Sequence, residues 1–450
     1  MALVPTFPFS VTEHVIDGQY IREYPRATVS QDSPIKLVVK KYTPVDNPNP
    51  QPGDVTIVGA HGCGFPKVKH NLGLNMRIMR ELYEPLWEDL LTQSSHQGFR
   101  IGSIWITDVA NLGASGMRNE SILGDDPSWL DHSRDMMCMI NEFRAEMPRP
   151  IIGVGHSMGA GQLVLLSLMH PRLFTSLALV EPVIVPDTFS GHGPMLSLLS
   201  LKRQDTWPSR SAAIETAKKT HKRWDSRVFE RWTQNGYRKL PTIIYPQIDT
   251  HDDQGTNPDD PPVTLASTKY QEVTQYIRPN FAGHKPLGQE ELNPGPPHDP
   301  LTQPDVIGPT HKISPFYKSE AVVAWKLLDH VRPSILYVLG DRSPIQTDFI
   351  RAELLRRTGA GVGGSGGVKS SQVKEVIIKG SGHQVPLEKV KETASAIAEW
   401  ISLVLQRWRE DEMRVAQGWQ DQSARDRLSM SAGWVPVLES LCRPERDSKI

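Results

Sequence analysis

The stretch from Pro150 to Gly161 reads PIIGVGHSMGAG. A short apolar run, Ile151 to Val154, ends there in Gly155-His156-Ser157-Met158-Gly159, and a helical pattern reaching Met169 begins at once. This is the G-x-S-x-G spacing of a nucleophile elbow, in which a sharp strand-to-helix turn lifts a serine Oγ above the end of a sheet. Gly155 and Gly159 stand two residues either side of Ser157 because such a turn leaves no room there for a Cβ. The N–H groups that open the following helix favour a developing negative charge. A small-residue turn of no function can carry the same letters, but apolar strands on both sides, Ile151 to Val154 and Leu177 to Val180, point to the elbow.

Working outward, Val55 to Ala60 is a buried-strand run that ends in HGCGFPK, residues 61–67. A glycine-rich turn there can bring the backbone N–H of Phe65 to the site opposite that of Met158, and two such donors make an oxyanion hole; an ordinary strand-to-helix turn is the plainer alternative. Glu84 to Leu91 reads as a helix with proline near its first turn, and Gly98 to Thr107 as the next strand. Lys67 to Arg80 looks like an added loop, and Ala110 to Trp129 is polar and glycine-rich. Asp131 to Met147 has helical spacing, with Met136, Met139, Ile140 and Phe143 on one face, a stripe that fits core packing. Upstream, VIDGQYI within His14 to Arg26 and IKLVVKKY at Ile35 to Tyr42 predict an antiparallel pair at a sheet edge.

After Glu181-Pro182 the alternation stops. His192 to Tyr237 reads as helical, anchored by Trp207, Trp224, Phe229 and Trp232, and Pro246 to Pro315 is rich in Pro, Asp and Gly. The sheet resumes at Ile335 to Leu339 and Val373 to Ile378, with Gly359 to Gly367 a flexible surface loop between them. Leu387 to Arg409 is an amphipathic helix with Val390, Ala394, Ile397, Ile401 and Leu405 on one stripe. The expected organisation is a mostly parallel central sheet with helices on both faces and a large cap inserted after the sixth strand. Residues 15–182 and 326–410 form the two parts of the core, 183–325 the cap, and 411–450 a C-terminal tail.

The 450 residues carry 50 basic against 51 acidic side chains, so no charge bias points to nucleic acid or an anionic membrane. Cys63, Cys138 and Cys442 are too few and too scattered for a disulfide framework or a zinc site. The N-terminus lacks a basic region followed by a long apolar core, and no run approaches the ~18 apolar residues of a membrane span.

A serine nucleophile needs a base, and the base a carboxylate that fixes its tautomer. His383 lies in GSGHQVP, residues 380–386, between the last strand and the C-terminal helix, where an α/β-hydrolase fold carries its base. His156 sits inside the elbow and cannot swing back onto its neighbour, while His61 is placed to shape the oxyanion turn by hydrogen bonding. For the acid two candidates stand. The usual position after the penultimate strand holds Ser343, with Asp341 two residues early; Glu181 ends the strand that follows the nucleophile helix. Glu181 is preferred, with Pro182 expected to hold it extended, and Asp341 is the alternative acid.

HGCGFPK, YEPLWEDL, GHSMG, LVEPVI, a cap opening near LKRQDTWPSR, and GSGHQVPLEKV together resemble the fungal peroxisomal α/β-hydrolases. That group covers peroxisomal lipase-like, toxin-biosynthesis and mycophenolic-acid acyl-CoA hydrolase-like proteins. The resemblance spans roughly residues 15–410 and implies an α/β-hydrolase fold with a Ser157, Glu181, His383 triad. Glu181 departs from the Asp of the family pattern, and Lys67 to Arg80 departs from its short connection. The last residues, Ser448-Lys449-Ile450, resemble the tripeptide read by the peroxisomal import receptor, with isoleucine for leucine. They imply the peroxisome matrix, or the cytosol if the tripeptide is not read.

The expected activity is cleavage of an acyl-CoA thioester or carboxylic ester through an acyl-serine, with no metal or redox cofactor implied. A triglyceride lipase or carboxylesterase would use the same triad. A thioesterase calls for basic cap residues on the coenzyme A phosphates, for which Lys202, Arg203 and the Lys218 to Arg223 run are candidates, unless they are only solvated helix faces. A non-catalytic protein of this fold is the alternative of a different class, told apart by reaction of Ser157 with a fluorophosphonate. Epoxide hydrolase and dehalogenase chemistry would need Asp at position 157.

Overall fold

The computed structural model describes residues 7–63, 79–187, 192–246, 257–279, 299–302, 304–305 and 315–442. The chain begins with β1 (Phe9–Asp17) and β2 (Lys36–Pro44), paired antiparallel. There follow β3 (Val55–Ala60), α1 (Glu84–His96), β4 (Ile101–Thr107), α2 (Gly113–Asn119) and α3 (Trp129–Glu142). Next come β5 (Ile151–His156), α4 (Met158–Met169) and β6 (Ser176–Val180). Beyond β6 lie α5 (His192–Lys202), β7 (Thr206–Trp207), α6 (Arg210–Thr220), α7 (Ser226–Asn235) and β8 (Tyr237–Lys239). They are followed by β9 (Val263–Leu265), α8 (Lys269–Tyr276), β10 (Arg278–Pro279) and β11 (Phe316–Tyr317). The sheet is completed through α9 (Ser319–Leu327), β12 (Ser334–Gly340), α10 (Asp348–Arg357) and β13 (Val373–Ile378), and the chain runs on into α11 (Val385–Glu388) and α12 (Val390–Gln420).

Eight of these strands form one sheet in the order β1-β2-β4-β3-β5-β6-β12-β13, antiparallel at β1/β2 and β2/β4 and parallel from β4 onward. Residues of β3, β5, β6 and β12 are buried throughout, as expected of strands covered on both sides, whereas β1 at the edge is largely exposed. The pleat divides the cover. Val58 and Ala60 of β3 join one core cluster with Met136 and Met139 of α3, Leu163 and Val164 of α4 and Ala324 of α9. Gly59 between them faces the Trp87 ring of α1, and on that same side Trp400 of α12 donates its Nε1–H to Ser176 Oγ of β6 at 2.8 Å.

Register brings the carboxyl ends of the strands level. Ala60 pairs with Gly155, His156 with Val180, Val180 with Val338 and Gly340 with Ile378. The residues just past each strand therefore share one edge, where open α/β sheets bind their ligands. β13 is three strands from β5, about 14 Å at the usual spacing, so any residue after β13 must reach back across β12 and β6 to meet one after β5. The chain does this at Gly340: a Cβ there would lie 2.5 Å from Ser381 O and 2.6 Å from Gly382 O, and only glycine lets the loop pass.

The insertion between β6 and β12 departs from its sequence reading. The run from His192 to Tyr237 is not all helix: Trp207 sits in β7 and Tyr237 opens β8, and with β9 they form a small antiparallel sheet ordered β7-β9-β8. The Pro, Asp and Gly-rich stretch holds α8, stabilised by a capping box between Thr268 and Gln271, and α8 packs on α5. Elsewhere, the glycine-rich 110–129 segment contains α2, and α3 ends at Glu142 rather than Met147. The helix expected from Leu387 breaks at Lys389, then continues well past Arg409 to Gln420. Gly359 to Gly367, expected to be flexible, is tied down by backbone bonds from Gly359 to Leu328 O and from Gly361 to Asp329 O. Arg80, at the end of the expected added loop, is buried and bonds Val38 O and Glu81.

The chain divides into two compact units, Met1–Ser402 and Leu403–Ile450. The second contains the last part of α12 and two further helices, α13 (Ala424–Leu428) and α14 (Trp434–Cys442), joined by short non-helical turns, so the expected tail is mostly helical in its described part.

Candidate active site

Ser157 closes the turn between β5 and α4 with φ +56°, a left-handed conformation uncommon for any residue but glycine. The surroundings enforce it. Its N–H donates to Val180 O at 2.9 Å, and its own carbonyl accepts from Val183 N–H at 3.1 Å. A Cβ on Gly159 would sit 2.3 Å from Ala60 O, and one on Gly155 2.8 Å from the Cα of Ala160, so the tightness of the turn requires both glycines.

His383 arrives on the loop that crosses Gly340. Its Nε2 lies 2.8 Å from Ser157 Oγ and its Nδ1 3.0 Å from Glu181 Oε2. A ring nitrogen facing a carboxylate carries the proton, so Nδ1–H donates to Glu181 and Nε2 accepts from the Ser157 hydroxyl. All three side chains are buried, Ser157 at 3%, Glu181 at 0% and His383 at 4% exposure, so a substrate reaches them through a cavity and not from open solvent.

Glu181 is not extended, contrary to the expectation from Pro182. Its φ is +48°, and its N–H donates to Val338 O at 3.0 Å. The left-handed turn at the strand end aims the side chain back along the sheet edge, where Gly340 N–H donates to Oε1 at 2.7 Å and Ser343 Oγ–H to Oε2 at 2.5 Å. Fixing both oxygens offsets the backbone strain. The hydroxyl at the customary acid position thus serves the carboxylate of the neighbouring strand. Asp341 faces outward and accepts from Gly380 N–H at 2.8 Å, which braces the histidine loop from outside.

Two histidines occupy structural positions around this centre. His61 donates Nδ1–H to Gly62 O at 2.8 Å while Nε2 accepts from Val109 N–H at 3.3 Å, holding the turn after β3. His156 bridges two loops: Nδ1 accepts from Tyr83 Oη–H at 2.7 Å, Tyr83 Oη accepts from Gly62 N–H at 3.0 Å, and Nε2–H donates to His383 O at 2.9 Å. Burial, helped by the nearby His383, pushes the His156 imidazole down to about 3, so it is neutral and can donate and accept at once. The link through Tyr83 is invisible in the sequence, where nothing marks Tyr83 as facing His156.

Met158 opens α4 beside Ser157. Phe65, the other expected oxyanion donor, and Ser448, Lys449 and Ile450 lie outside the described residues. Ser157, Met158 and Cys63 form the floor of a cavity of about 800 Å³ counting its open mouth. Its walls are mainly apolar: Trp129, Val183, Val185, Leu196, Ile277, Phe316 and Ile345, with Lys318, Gln275 and Asp187 as polar members. Of the basic candidates, Arg203 is buried against Glu272 and Arg223 bonds Glu388, while Lys202, Lys218, Lys219 and Lys222 are exposed.

Residues 60–400 match the family model described as the alpha/beta hydrolase family. A type I acyl-CoA thioesterase of Penicillium brevicompactum is 38% identical over 445 residues, covering 97% of this chain and 96% of that protein. An abhydrolase domain-containing protein of Alternaria alternata is 29% identical over 303 residues, 65% of this chain and 99% of that one. Among solved structures, a peroxisomal alpha-beta-hydrolase of Saccharomyces cerevisiae matches with a TM-score of 0.63 at 17% identity, covering 89% of this chain and 91% of that chain.

Proposed function

This chain belongs to the α/β-hydrolase family, and on that premise we propose that it is a serine-dependent acyl-CoA thioesterase in which Ser157, His383 and Glu181 are the catalytic triad. The observation that carries the reading is the 2.8 Å approach of His383 Nε2 to Ser157 Oγ on the floor of an apolar cavity able to take an acyl chain. Identity of 38% along almost the whole chain to an acyl-CoA thioesterase supports the thioester over other acyl substrates.

In this reading Ser157 Oγ attacks the thioester carbonyl carbon as its proton passes to His383 Nε2, and Glu181 stabilises the imidazolium through Nδ1–H. The oxyanion is held by Met158 N–H at the positive end of α4 and by a donor from the turn after β3, for which Phe65 is the candidate. Collapse of this intermediate expels the coenzyme A thiol with the proton from His383. Water, deprotonated by His383, then releases the acid and restores the serine.

Purified protein assayed on a panel of acyl-CoAs and p-nitrophenyl esters tests this. Turnover of acyl-CoA with release of free thiol is expected; turnover of oxyesters alone would replace the thioesterase by a carboxylesterase, and no reaction of Ser157 with a fluorophosphonate would remove the hydrolase reading. We also propose import into the peroxisome through Ser448-Lys449-Ile450. A fluorescent protein fused at the N-terminus should give punctate signal and one fused after Ile450 diffuse signal; cytosolic signal from both would overturn it.

A further inference from the structure

The loop that carries His383 is attached to the insertion beyond β6 as well as to the sheet. Arg223 donates to Gly380 O, where the loop begins, and to Glu388 Oε2 at 2.8 Å, where α11 ends. The same Glu388 oxygen accepts from Ser381 Oγ at 3.1 Å. Trp224 Nε1–H donates to Gln384 Oε1 at 2.8 Å, one residue after His383, and Asp225 N–H donates to Leu387 O at 2.9 Å. Three consecutive residues between α6 and α7 thus grip the base loop at its start, middle and end. Trp224 is itself held: its ring stacks on His221 at 4.0 Å between centroids and meets Trp232 edge-on at 6.1 Å, and both it and Gln384 are buried.

The grip is of consequence because His383 must reach back over β12 and β6 from the edge strand, on a loop that crosses the sheet at Gly340. We propose that Trp224 is a positioning residue for His383, acting through Gln384, so that the reactivity of Ser157 depends on the insertion being seated on the core. The proposal rests on the reading of Ser157 and His383 as nucleophile and base. Without the indole donor the buried Gln384 carboxamide loses a partner, and the neighbouring imidazole loses its fixed distance to Ser157 Oγ.

The experiment measures the rate of Ser157 labelling by a fluorophosphonate, together with kcat and KM on acyl-CoA, for wild type, Trp224→Phe, Gln384→Leu and the double variant. Trp224→Phe keeps an aromatic ring against His221 and removes the indole donor together with its second ring, whereas Gln384→Leu removes the acceptor with little change of volume. Each single change should slow labelling and kcat by about five- to tenfold, the rate equivalent of one lost hydrogen bond, with KM moved less than about twofold. The double variant should be no slower than the worse single one, because both remove the same bond. Wild-type labelling by folded Trp224→Phe, or losses that multiply in the double variant, would overturn the proposal. Should Trp224→Phe not fold, Gln384→Leu tests the same bond from the other side by the same criterion. A wild-type chain that does not label at all overturns the underlying nucleophile reading, an outcome distinct from a labelled wild type with an unaffected variant.

Discussion

His156 Nε2–H donates to the backbone carbonyl of His383 at 2.9 Å, so the residue before Ser157 holds the main chain of the histidine that Ser157 faces. Because its other nitrogen accepts from Tyr83, and Tyr83 accepts from Gly62, one neutral relay joins the turn after β3 to the turn after β13.

His156→Phe fills the same space and cuts the relay at both ends. The expected result is a fall in kcat of about tenfold or more, from two buried hydrogen bonds lost, with a smaller fall for Tyr83→Phe. Steady-state kinetics on folded protein checks this, and an unchanged kcat in His156→Phe would show that the loops hold themselves.

Ser157→Ala should cost orders of magnitude in kcat and abolish fluorophosphonate labelling while leaving the fold intact. Circular dichroism and turnover on the same sample decide it. Near-normal turnover by the folded variant would remove the nucleophile assignment.

Glu181→Gln keeps the size of the side chain and removes its charge, and should lower kcat by up to about 10⁴-fold. Asp341→Asn, altering a carboxylate that only braces Gly380, should stay within about tenfold. Ser343→Ala deletes one of the donors to Glu181 and should fall between them, at about tenfold. If Asp341→Asn is the crippling change and Glu181→Gln the mild one, the acid assignment is reversed.

Stability should carry a histidine signature. Burial pushes the His132 imidazole down to about 3, and neither of its ring nitrogens has a hydrogen-bond partner among the described residues. Unfolded, the group titrates near about 6.5. Its folded value is the lower one, so the unfolded chain takes up a proton between about 6.5 and 3 that the native chain refuses, and stability is lost as pH falls through that window. His132→Leu removes this loss. Relative to wild type, the variant should gain about 1.4 kcal/mol per pH unit below about 6.5. Urea unfolding of both proteins at about pH 7.5 and about pH 5.5, on either side of the upper end of the window, measures it; parallel pH dependences would refute it.

What the sequence discloses depends on the range over which its signals act. The elbow, the strands β3, β5, β12 and β13, and the position of His383 are written in contiguous residues, and the observed elements agree closely with those readings. Glu181 is legible as a strand-end carboxylate, but its left-handed backbone is not, because the hydrogen bonds that fix the residue come from Val338 and from Gly340, the latter 159 residues away. β7, β8 and β9 span two or three residues each, too short for any periodicity to register. Trp224 is legible as an apolar anchor, whereas its hydrogen bond to Gln384 joins segments 160 residues apart.

The bond between Ser343 and Glu181 also bears on descent. The two residues stand at the ends of adjacent strands, at the two places where an acid can serve His383, and they are already within 2.5 Å of each other. A lineage could therefore move its carboxylate from one strand to the other without relocating the histidine. An intermediate with acids at both places would keep one of them protonated, since like charges so close do not both ionise. The hydroxyl of Ser343 stands where a second carboxylate would, so such a change of seat would need no ancestor without a functioning triad.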